Sequence, residues 1–100
     1  MYKMVSIITV FTALMFTAPV FAGKNKTMDA WLSNSKFVKS KITDVAALKQ
    51  INKWHGEMED GHSMMDRLSY YNLAAEIFDE LIELSKENGG PTVHKPEWLD

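Results

Sequence analysis

A chain of 100 residues, 46% hydrophobic and 24% charged with net charge −2, has the size and composition of one small globular domain and excludes most multi-domain architectures. It contains no cysteine, so it has neither disulfides nor a lipoprotein attachment site. Its fold must be held by packing, by a partner or by self-association.

The N-terminus reads as an export signal. Lys3 is a short basic start, residues 4–18 are apolar apart from Ser6, Thr9, Thr12 and Thr17, and Pro19-Val20-Phe21-Ala22 breaks a helix before small residues at a cleavage site. Cleavage after Ala22 by the Sec route predicts a periplasmic or secreted protein of residues 23–100. The competing reading is a retained anchor, because residues 4–22 approach the roughly 20 residues that span hydrocarbon. Only in that case does the sequence imply a membrane-bound protein.

Residues 23–27 (GKNKT) are polar and basic and read as a flexible leader. A first helix is predicted over 28–41, with Met28, Trp31, Leu32, Val38 and Ile42 close to helical spacing on one face. A second is predicted over 44–59, N-capped by Thr43, with the stripe Ala47, Leu48, Ile51, Trp54 and Met58, ending before the turn dipeptide Asp60-Gly61. Ser63 and Asp66 resemble a capping box for a third helix over 64–87. Met64, Leu68, Tyr71, Ala75, Phe78 and Ile82 form its main stripe, Ala74, Ile77, Leu81 and Leu84 flank it, and Gly89 supplies the stop. Residues 90–100 hold two prolines and read as an extended tail.

With no strand pattern, the predicted fold is all-α: a three-helix assembly over 28–89 in which the second and third helices form an antiparallel hairpin. The third helix is apolar over a wider arc than one short helix covers, which predicts packing by the first helix or a homodimer. Charge is uneven. Seven lysines against Asp29 and Asp44 leave +5 over 23–53, while Arg67, Lys86 and Lys95 against eleven acids leave −8 over 54–100. This predicts a basic half packed on the acidic third helix. Nucleic acid is not an expected partner, because the basic half has no arginine and no interleaved aromatic platform.

Enzymatic motifs are missing: there is no glycine-rich phosphate loop, no HExxH helix and no nucleophile elbow. The expectation is a non-enzymatic protein with no cofactor that acts by binding another protein or itself, as an adaptor, accessory factor, inhibitor or chaperone-like module. Tyr70, placed off the main stripe of the third helix, and Trp98 on the tail are the expected interaction surface, since Tyr and Trp dominate binding hot spots. The alternative is a periplasmic copper or zinc protein. His55, Met58, Glu59, His62 and Met65 offer imidazole, thioether and carboxylate ligands, which share one face only if a helix runs unbroken through Gly61.

Overall fold

A computed structural model describes residues 23–99, which form three α-helices and one short 3-10 turn: α1 (Gly23–Lys41), α2 (Val45–Met64), α3 (Arg67–Glu87) and the turn Glu97–Leu99. The fold is all-α. The signal segment and its cleavage site after Ala22 lie outside the described residues, as does Asp100.

Each helix packs on both others around one core. It holds Trp31, Val38 and Ile42 from the α1 side, Ala47, Ile51, Trp54 and Met58 from α2, and Tyr70, Ala74, Ile77, Phe78 and Leu81 from α3. Trp31 meets Phe78 edge to face, with ring centroids 5.8 Å apart and planes at 87°.

Helix α1 begins five residues earlier than predicted, so GKNKT is helical rather than a flexible leader. The reason is visible in the spacing Thr27, Trp31, Ser35, Val38, Ile42, where two small hydroxyl residues extend the buried stripe. The Thr27 hydroxyl donates back to Gly23 O at 2.9 Å, and Trp98 Nε1 in turn donates to Thr27 Oγ1 at 2.9 Å. Lys24 Nζ donates to Met65 O at 2.8 Å, satisfying a carbonyl just past the end of α2.

Helix α2 is capped by Asp44 rather than Thr43: the Asp44 carboxylate accepts from Ala47 N at 2.9 Å. It does not stop at Asp60-Gly61 but continues to Met64. Gly61 is buried at the crossing with α3, where an added Cβ would stand 2.9 Å from Leu73 Cδ2, 3.0 Å from Tyr70 Cδ1 and 3.2 Å from Met65 Sδ. The missing side chain therefore serves close approach, and the packing it allows offsets glycine's helix penalty of about 1 kcal/mol.

Helix α3 starts at Arg67, with Asp66 as its cap and not as the fourth residue of a box begun by Ser63. Asp66 Oδ1 accepts from Ser69 N at 2.7 Å. That amide is the main reason the Asp66 carboxyl lies below the ordinary carboxylate range. At the other end Gly89 closes the helix as predicted. It has φ +68°, its N–H reaches Lys86 O at 3.2 Å, and Gly90 N–H reaches Ser85 O at 2.7 Å, together a Schellman motif.

The tail is packed rather than free. Ser85 Oγ donates to Pro91 O at 2.6 Å, Val93 and Leu99 are buried, Lys95 pairs with Asp79 at 3.1 Å, and Trp98 ends on α1. The strand-like strap thus leaves the C-terminal end of α3, runs back along it and closes on Thr27. The predicted charge pairing of the basic half with the third helix is absent. Among the described residues no ion pair joins a lysine of α1 or α2 to a carboxylate of α3.

Candidate interaction surfaces

The predicted surface pair comes apart. Tyr70 is fully buried, its hydroxyl 3.3 Å from Met28 Sδ, and burial pushes its phenol up to about 12. Tyr71, placed in the core by the sequence pattern, is half-buried and accepts a hydrogen bond from Gly23 N at 2.8 Å. The two exchange roles because α3 turns its flanking stripe inward, which sets the Tyr70 ring against Gly61 and leaves Leu68 outside. Trp98 is half-buried, its indole nitrogen committed to Thr27.

The metal-ligand candidates do lie on one continuous helix, since α2 passes through Gly61. Each is otherwise engaged. His55 Nδ1 accepts from Trp31 Nε1 at 3.2 Å, which assigns the ring proton to Nε2, 3.6 Å from Glu59 Oε2. His62 Nε2 meets Asn25 Oδ1 at 2.8 Å, and its ring packs edge-on to Tyr70 at 5.9 Å. Met58 is completely buried, and Met65 packs its sulfur against Gly61. His55 and His62 are separated by two helical turns, about 10 Å along the axis, whereas donors on one tetrahedral ion stand roughly 3–3.5 Å apart. Among the described residues no three His, Cys, Asp or Glu side chains converge as metal ligands.

Two surfaces that the sequence pattern did not single out remain open. The first is a groove of about 280 Å³ between α1 and α2, floored by Leu32 and Ile51, rimmed by Lys36 and Lys39, with His55 at one side. Leu32 is 41% exposed, and the neighbouring Phe37 is 46% exposed. Leu32 stands on the predicted apolar stripe, and Ser35 takes the buried place expected of it.

The second surface is the α2–α3 corner. Met64 is 84% exposed and Leu68 is 71% exposed, with Met65 beside them over a groove that Gly61 and Leu73 also line. No helix among the described residues is long and apolar enough to cross a membrane. No protein-family model matches the chain, nor does any curated protein or solved structure.

Proposed function

We propose that the chain is an exported helical protein of the periplasm that acts without catalysis, by holding a partner protein in the α1–α2 groove. The observation that carries this reading is the composition of that groove: the exposed Leu32 over the buried Ile51, between lysine side chains that α3 leaves unneutralised. Such a site suits an amphipathic segment with acidic flanks, because apolar anchors supply affinity while rim charges set orientation and association rate. The N-terminal sequence supports the address, since residues 1–22 have the three parts of an export signal.

The test is affinity capture with the processed chain and with a Leu32→Ser/Phe37→Ser variant, both positions being exposed enough to leave the core intact. A partner held by the wild-type chain and lost by the variant supports the reading; identical captures from both refute it. Intact mass of the exported chain tests the address independently, with a start at Gly23 expected.

Copper or zinc binding is the second reading. One observation favours it, the i, i+4 pair His55–Glu59 on an exposed edge of α2. Two ligands without a third make a weak site. Calorimetric titration with zinc and with Cu(I), repeated on His55→Ala and His62→Ala, decides it: sub-micromolar binding lost in both variants would establish a metal site.

A further inference from the structure

We infer that the corner formed by Met64, Met65 and Leu68 rests against a phospholipid bilayer while the chain still carries residues 1–22. The inference rests on reading residues 4–22 as an apolar export segment, and it concerns a different face from the partner groove.

Three observations converge on that corner. Met64 and Leu68 are the most exposed large apolar side chains among the described residues. The first described residues lie at the same place: Gly23 N donates to Tyr71 Oη, Lys24 Nζ donates to Met65 O, and Leu68 lies one turn before Tyr71 on the same face of α3. The stretch that attaches there, residues 4–22, is long enough to sit in hydrocarbon with little tilt. Once it is in the bilayer, the corner is within a few residues' length of the lipid surface.

The charges at this end suit an apolar contact rather than an electrostatic one. Lys24, Lys26 and Arg67 at this end are matched by Glu57 and Asp60, which line the groove beside Met64 and Met65, and by Asp66, so the corner is close to neutral, and Lys26 and Arg67 can reach headgroups while the thioethers and Leu68 enter the acyl boundary. The partner groove, with Lys36 on its rim, lies about 20 Å further along α1 and clear of the surface.

The cysteine-free chain makes the test direct. Leu68→Cys and Val45→Cys each place one thiol at an exposed apolar position, at opposite ends of α2 and α3, and Val45 is 64% exposed. Each full-length variant is labelled with a polarity-sensitive dye and mixed with phosphatidylcholine vesicles that carry a nitroxide on the headgroup, after flotation confirms binding. The expected result is loss of most of the fluorescence at position 68 and little loss at position 45. Flotation with equal quenching at both positions overturns the inference while leaving the export segment intact. Failure to float overturns both together. A photo-crosslinker on position 68 that captures a protein instead of phospholipid in envelope membranes overturns the assignment to lipid.

Discussion

Gly56 and Gly61 lie on the same helix, five residues apart, and alanine should act on them with opposite sign. A Cβ at Gly56 meets nothing within 4 Å, so Gly56→Ala collects the helix-propensity gain of about 0.5–1 kcal/mol. A Cβ at Gly61 collects the same gain but stands 2.9 Å from Leu73 Cδ2 and 3.0 Å from Tyr70 Cδ1. Leu73 is half-buried and can rotate away, whereas the Tyr70 ring is fully enclosed and cannot. Overpacking of this kind costs about 1–3 kcal/mol, leaving a net destabilisation near 1 kcal/mol for Gly61→Ala. The two variants should therefore differ by about 2 kcal/mol, or roughly 10 °C in Tm for a domain of this size. Urea and thermal unfolding followed by far-UV circular dichroism on both variants reads this difference. If Gly61→Ala is as stabilising as Gly56→Ala, the close crossing of α2 and α3 is refuted, and Gly61 stands on an open face of its helix.

His55→Ala removes the acceptor of the buried Trp31 Nε1–H and should destabilise by about 1–2 kcal/mol, while the same change in a Trp31→Phe background should cost clearly less; a double-mutant cycle with zero coupling would remove that hydrogen bond from the account. Asp66 has its folded pKa depressed by the Ser69 amide, so its cap stabilises above the unfolded carboxylate value of about 4 and fades as pH falls through the folded value. The stability gap between wild type and Asp66→Ala should accordingly be open at pH 6 and closed in strong acid, and a gap independent of pH would contradict the assignment. Tyr70 has its folded pKa raised, so its contribution is complete below about pH 10 and is lost as pH rises towards 12. In a spectrophotometric titration its phenol should ionise only as pH rises towards 12 and together with unfolding; ionisation near pH 10 in the folded chain would place Tyr70 on the surface after all.

Helix existence was legible in the sequence because the apolar residues recur at or close to helical spacing, most clearly in α3, and Gly89 gave a stop signal that the Schellman geometry bears out. The boundaries and faces were not. Thr27 and Ser35 extend the buried stripe of α1, yet a hydrophobicity pattern passes over small hydroxyl residues whose oxygens are satisfied within their own helix. Asp60-Gly61 has the composition of a turn, and only the tertiary contact of Tyr70 with Gly61 turns it into helix. That contact also rotates α3, which is why Tyr70 and Tyr71 exchange places and why Leu68 is outside. At the two surfaces the sequence carried less still. Exposure of Leu68 follows from which of two adjacent apolar stripes is buried, and both stripes were available on the wide face of α3.

The central claim is that the α1–α2 groove holds the partner, and hydrogen exchange with and without the captured protein tests it most directly. Slower exchange along α1 around Leu32, Lys36 and Lys39, and along α2 from Ile51 to His55, is the predicted result. Protection confined to the Met64–Leu68 corner, or none in either helix, would contradict it.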